Sequence, residues 1–218
     1  RDTGDYKKAI EHYNRAISIN NNYYQAHYSK GTVLLKQGDN EKARDALQIT
    51  IQLEPDYSKA YGTLGIVEQE LGNISSAIEN FIHSTDLDPK SYKIFYRLAS
   101  VYNFQKQHEK AKHAAKDCLN IKRNYAPAYY ELGVSEKALG NKVAATDAFE
   151  KAKKDKNWRK SAQYELDMLN KGLNMVIVIY GVNRRIKSYY YKKVLYISNQ
   201  ILKKNDINLF HVSRSKKG

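Results

Sequence analysis

The sequence predicts an all-α fold, a solenoid of antiparallel helix–turn–helix repeats followed by a non-repeat C-terminal tail. Three observations carry that expectation. A 34-residue register runs through five rows without insertion or deletion, and one column is filled by Ala9, Ala43, Ala77, Ala111 and Ala145. Small and large apolar residues around that column recur at helical rather than strand spacing. Only three prolines occur in 218 residues, whereas the helix formers Ala, Leu, Lys and Glu are common.

Each row divides into two helices and a turn. The first helix carries an aromatic or His27 (His27, Tyr61, Phe95, Tyr129), then three residues on Leu64, Leu98 or Leu132, then a small residue: Gly31, Gly65, Ala99 or Gly133. The small residue lets the two backbones of a hairpin approach closely. The turn holds Gly4, Gly38, Gly72, Lys106 and Gly140, a position where the chain needs a left-handed residue to end the first helix. In the second helix the alanine column is followed after four residues by Tyr13, Leu47, Phe81, Ala115 and Phe149. Three further on stand Ala16, Thr50, Ser84, Cys118 and Ala152. Pro55 and Pro89 stop second helices, Ser58 and Ser91 are placed to cap the next ones, and Pro127 falls in a first helical turn.

These columns resemble the tetratricopeptide repeat: Leu-Gly as in Leu132–Gly133, then a Gly-Asp/Asn turn and the alanine as in Gly38-Asp39-Asn40-Glu41-Lys42-Ala43. The resemblance covers residues 1–171 and implies a right-handed superhelix. The sequence departs from the family pattern at Lys30, where leucine is usual, at the turn residue Lys106, and at Arg123 and Asn157, where proline is usual. The expected units are a half repeat at 1–23, full repeats at 24–57, 58–91, 92–125 and 126–159, and a capping helix at 160–171 that Gly172 can terminate. The half repeat lacks its first helix, which leaves Ile10, Tyr13 and Ile17 short of cover and predicts fraying or self-association there. On this reading the sequence is a fragment of a longer chain.

The net charge of +14 is uneven, with +5 in residues 1–171 and +9 in residues 172–218. The tail, rich in Lys, Asn, Ile and Tyr, is expected to be poorly ordered. It also reads as a basic aromatic segment for nucleic acid or an anionic membrane surface, or as sequence foreign to the rest. Its Met175–Tyr180 run favours strand, and Tyr189-Tyr190-Tyr191 lies among lysines. No run of 18 apolar residues suggests a membrane span. The single Cys118 excludes an internal disulfide framework and suits a reducing compartment, so a cytoplasmic location is expected.

Catalytic chemistry finds no support. The six histidines fall at unrelated repeat positions, and His108 and His113 are five apart rather than on one helical face. Cys118 stands in a column of small packed residues. No glycine loop followed by Lys-Ser/Thr cradles a phosphate. The sequence is therefore expected to be no enzyme and to need no cofactor or metal. The sequon Asn73-Ile74-Ser75 lies in a repeat turn.

What the resemblance implies about function is a protein-interaction scaffold that holds an extended peptide on the concave face of the array, with a protein or peptide partner of acidic character. The candidate contacts carried over by position are Tyr28, Thr32, Lys59, Thr63, Lys93, Tyr96, Arg97, Ser100, Tyr130 and Glu131, with Gln25, Ser29, Lys36, Ile66, Gln69, Glu70, Asn103, Val134 and Lys137 beside them. Lys93 and Arg97 match two positions of the clamp that some members use on a C-terminal carboxylate, whereas Tyr28, Thr32 and Thr63 do not match the other three. Tyr13, Tyr61 and Tyr129 are core by register. Two alternatives stand beside the scaffold: nucleic-acid binding through the basic tail, and regulation of an enzyme domain encoded elsewhere in a longer chain.

Overall fold

The computed structural model describes residues 3–183, with side chains placed for residues 5–171. The all-α prediction holds, for among the described residues there are ten helices and no strand. They are α1 (Thr3–Ile19), α2 (Tyr24–Gln37), α3 (Asn40–Leu53), α4 (Ser58–Glu70), α5 (Ile74–Leu87), α6 (Tyr92–Phe104), α7 (His108–Ile121), α8 (Ala126–Ala138), α9 (Lys142–Lys153) and α10 (Arg159–Asn183). Backbone packing divides the chain into two units, residues 1–166 and 167–218. The first is a helical solenoid. Its tightest packing lies within the hairpins α2–α3, α4–α5, α6–α7 and α8–α9, and each hairpin then leans on the next. The second is described only by the later turns of α10.

Why the hairpins close is visible at the small residues of the first helices. A Cβ added to Gly65 would fall 2.5 Å from Cδ1 of Phe81, and one added to Gly133 would fall 2.6 Å from Cδ1 of Phe149. Phe81, Phe149, Leu47 and the alanines of the repeat column in α3, α5, α7 and α9 are wholly buried. In α1 the equivalent residues Ala9, Tyr13 and Ala16 are only half-buried, because no first helix precedes it in this structure.

All four full turns end their first helix in the same way. The N–H of the residue after the turn residue reaches back to a carbonyl five residues earlier: Asp39 to Leu34, Asn73 to Glu68, Gln107 to Tyr102 and Asn141 to Glu136, at 2.8–3.0 Å. Gly38, Gly72 and Gly140 take φ of 81–84° there, and Lys106 takes φ 60°. Lysine in place of glycine thus leaves the turn intact, at the steric cost of a left-handed side-chain residue. Lys106→Gly should raise stability by about 1 kcal/mol in urea denaturation. A neutral or destabilising result would mean that the Lys106 side chain contributes more than the strain removes.

Pro55 and Pro89 follow helix ends at Leu53 and Leu87, and Pro127 lies in the first turn of α8, as expected. Two expectations are corrected. Ser91 stands at the N-cap of α6 and Ser58 opens α4, yet neither helix start receives a side-chain cap bond. Ser58 is engaged at longer range: Ser84 Oγ donates to the Ser58 carbonyl at 2.9 Å and Ser58 Oγ to the Ser84 carbonyl at 3.3 Å. The second correction is at the end of the array. The helix expected to stop at Gly172 continues to Asn183, and Met175–Tyr180 is helical despite its β-favouring composition. Extending a formed helix costs one residue's ordering per bond, so a single glycine and a β-branched run do not stop it. The rest of the expected tail, residues 184–218 with Tyr189-Tyr190-Tyr191, lies outside the described residues.

Candidate peptide-binding surface

Each first helix presents one stripe beside its core face, although Ile66 on that stripe packs against the core and Glu131 is buried. Steps of four, three and four residues keep a side chain on one helical face, which gives Gln25, Ser29, Thr32 and Lys36 on α2, and Lys59, Thr63, Ile66 and Glu70 on α4. On α6 the stripe is Lys93, Arg97, Ser100 and Phe104, and on α8 it is Pro127, Glu131, Val134 and Ala138. The buried residues of α6, Ile94, Leu98, Ala99 and Val101, lie away from that line. In α2, α4 and α6 the stripe's middle two residues are half-buried, and its last residue is exposed on all four helices.

Lys59 and Lys93 are exposed and Arg97 is half-buried, and none of the three has an ion-pair partner among the described residues. By contrast Lys137 is already engaged, with Nζ 2.7 Å from Glu165 Oε2. Thr63 Oγ1 donates to the Lys59 carbonyl at 2.8 Å and lies 3.4 Å from Tyr28 Oη, so two candidate contacts on successive first helices touch each other. Thr32 Oγ1 is bonded to the Ser29 carbonyl.

The tyrosines are less free than their register suggested. Tyr28 stands edge-on to Tyr57 at 5.1 Å between ring centroids, and Tyr96 to Tyr125 at 5.7 Å. Tyr24 and Tyr92 complete these clusters at 5.2 and 5.0 Å. The two clusters are the same arrangement repeated two repeats on. Burial pushes the Tyr96 hydroxyl up from its ordinary range, and the charge of Glu131 adds to it. Tyr130 packs between Phe149 at 5.6 Å and Trp158 at 4.9 Å. Tyr61 and Tyr129, read as core, are only half-buried. Tyr61 stacks on the His83 ring at 4.1 Å, and Lys151 Nζ sits 5.3 Å over Tyr129.

Glu131 departs most from its expected role. It is 8% exposed, and Asn103 Nδ2 donates to both its Oε2 and its carbonyl at 2.9 Å, with Ser100 a further partner. Asn103 Oδ1 in turn lies 3.2 Å from His108 Nδ1. The carboxylate faces α6 rather than a ligand. Burial pushes its pKa up, more than its hydrogen bonds pull it down. A carboxyl that binds its proton more tightly when folded adds stability at acid pH, and that contribution is lost as pH rises through the folded-state value. Glu131→Gln should therefore be more stable than the parent at neutral pH in urea melts, with the advantage gone near about pH 4. Equal stability at both pH values would show the buried charge to be fully compensated.

Two residues outside the expected set stand out. Phe104 is 75% exposed at the end of the α6 stripe, in the column of Lys36 and Glu70, and that shared column was the available signal. Lys122 Nζ lies 4.5 Å over the Tyr92 ring and donates to Tyr92 Oη at 3.2 Å. Cys118 is wholly buried and its thiol is pushed up to about 12 by that burial, which suits a packed residue rather than a nucleophile.

Hairpins of this geometry, stacked in one register with a solvent-facing stripe on each first helix, define a helical-repeat scaffold for protein–protein contacts. Tetratricopeptide-repeat family profiles match residues 1–38, 25–57, 58–91 and 92–125, and the chain belongs to the tetratricopeptide repeat family. It is 26% identical over 145 residues to anaphase-promoting complex subunit 3 of Schizosaccharomyces pombe, covering 66% of this chain and 22% of that protein. It is 25% identical over 118 residues to the mouse superkiller complex protein 3, covering 54% of this chain and 8% of that one. The chain thus spans less than a quarter of the length of these relatives. Among solved structures, MamA matches with a TM-score of 0.65 at 24% identity, over 70% of this chain and 89% of MamA. YrrB, described as a TPR protein with an unusual peptide-binding site, matches with a TM-score of 0.66 at 16% identity, over 75% and 84%. Among the described residues no helix is long and apolar enough to cross a membrane.

Proposed function

We propose that the chain is a non-catalytic scaffold whose first-helix stripes form a groove for an extended, acidic segment of a partner protein. The observation that carries this reading is the set Lys59, Lys93 and Arg97, three cations without ion-pair partners among the described residues, on adjacent first helices. A stack of hairpins is ordered before it meets its ligand, so most of the entropy lost on binding is the peptide's. The peptide-binding site named for YrrB lends support from the same fold. Tyr28, Thr32, Thr63, Tyr96 and Ser100 line the groove beside the cations, while Tyr130 and Glu131 shape it from within.

An oligo-glutamate peptide labelled with fluorescein provides the test, read by anisotropy. Replacing Lys93 and Arg97 together by Ala should weaken its binding about tenfold or more, since each charge-assisted bond contributes roughly 1.5 kcal/mol or more. Raising the salt should reduce the difference between parent and variant. Equal binding by the two proteins would remove the groove's cations from the mechanism.

A further inference from the structure

We infer that Tyr24, Tyr28 and Tyr57, together with Glu54, form a site for the alkylammonium group of a partner protein's lysine, plain or methylated. The observation behind it is the second copy of this tyrosine cluster within the same chain. There Lys122 Nζ lies 4.5 Å from the centroid of the Tyr92 ring and 5.6 Å from that of Tyr125. The clusters share their geometry. Tyr24 and Tyr28 stand edge-on to Tyr57, as Tyr92 and Tyr96 do to Tyr125, with centroids 5.0–5.7 Å apart in all four pairs. Two repeats of 34 residues separate each residue from its counterpart, and the counterpart of Lys122 is Glu54.

Glu54 leaves the backbone as Lys122 does. It follows α3 with φ −141° and ψ 86°, and Lys122 follows α7 with φ −131° and ψ 87°. Each N–H reaches the carbonyl four residues earlier at 2.9 Å. The exit that carries a cation to the rings of the second cluster thus carries a carboxylate in the first. Among the described residues Glu54 has no ion-pair partner, and no cation lies over Tyr24, Tyr28 or Tyr57. The surroundings make the same exchange. Lys93, Arg97, Lys122 and Arg123 give the second cluster a charge of +4, whereas Gln25, Ser29, Glu54 and Pro55 occupy those positions in the first. With Asp56 and Lys59 included, the first cluster carries −1. Tyrosine faces attract a cation, and more strongly where water is partly excluded. All three rings are half-buried. Tyr28 also lines the proposed groove, but Tyr24, Glu54 and Lys122 do not, so the two sites can be tested apart.

NMR of the full chain with labelled tyrosine rings reads the site directly, the Tyr24, Tyr57, Tyr92 and Tyr125 signals being assigned by changing each to Phe. The probes are Nα-acetyl-lysine methylamide and its Nε-trimethyl form, with Nα-acetyl-norleucine methylamide as the neutral control. Both lysine probes should shift the Tyr24 and Tyr57 signals saturably, and norleucine should not. A response to the trimethyl form alone would support the site and confine it to methylated lysine. Glu54→Gln, which keeps the shape of the side chain, should weaken binding about threefold. Glu54→Lys should abolish it, because the chain then supplies the cation itself. Lys122→Glu should create a second site, seen as new saturable shifts at Tyr92 and Tyr125. No saturable shift in the parent, an equal shift with norleucine, or undiminished binding by Glu54→Lys would overturn the inference. So would a Lys122→Glu protein whose Tyr92 and Tyr125 signals stay still.

Discussion

Gly65→Ala is expected to destabilise the array by about 2 kcal/mol, although alanine is the better helix former by about 1 kcal/mol. The new methyl would lie 2.5 and 2.6 Å from Cδ1 and Cε1 of Phe81 and 3.1 Å from the Ala77 carbonyl oxygen. Phe81 is wholly buried among Ala77, Ile94, Leu98 and Ala115, so its ring has nowhere to turn. Overpacking of this kind costs about 3 kcal/mol, which outweighs the gain in helix propensity. The sign should reverse once the ring is gone. Phe81→Ala alone should cost about 4 kcal/mol, and Gly65→Ala added to it should restore about 1 kcal/mol. The third full repeat already contains that solution, for Ala99 stands where the others have glycine, and its partner column holds Ala115 rather than a ring or leucine. Urea denaturation of the four proteins in this cycle is the measurement. An equal cost of Gly65→Ala in both backgrounds would refute the steric account.

The same complementarity explains how much of the fold was legible. Hairpins need small residues where backbones meet and large ones opposite, so packing wrote itself into the sequence at a fixed interval, and the helices followed from it. The turn tolerated Lys106 because its geometry is set by backbone bonds to Tyr102 and Asn103, which do not depend on the side chain. Features fixed by partners far along the chain were not legible. Ser58 reads as a cap by local rule, but its bonds go to Ser84, 26 residues on. Glu131 reads as a surface carboxylate until Asn103, on the preceding first helix, turns it inward. Gly172 reads as a stop because glycine often is one, yet α10 runs through it. Lys59, Lys93 and Arg97 stand on first helices, as their columns predicted. Phe104 was missed because it breaks the character of its column, which otherwise holds Lys36, Glu70 and Ala138.

Asn73→Asp should cost about 3 kcal/mol at neutral pH, and Asn73→Ala about 2 kcal/mol. The reason lies in a buried carboxylate that recurs in alternate repeats. Glu68 and Glu136 are 6% and 7% exposed, and each accepts a bond from the asparagine five residues on: Asn73 Nδ2 at 2.7 Å and Asn141 Nδ2 at 2.6 Å. Alanine would remove a hydrogen bond to a charge shielded from water. Aspartate would remove the same bond and set a second carboxylate beside the first, a like-charge contact that alanine does not make. The first full repeat provides the control, because there the same two positions are Leu34 and Asp39. With no carboxylate at the first position, aspartate at the second meets no like charge. Glu68→Leu combined with Asn73→Asp should accordingly return to within about 1 kcal/mol of the parent, the interaction between neighbours making the double change far less costly than the sum of its parts. Chemical denaturation of the single and double variants at neutral pH would decide it. An undiminished cost of Asn73→Asp in the Glu68→Leu background would show that the asparagine acts through the turn backbone instead.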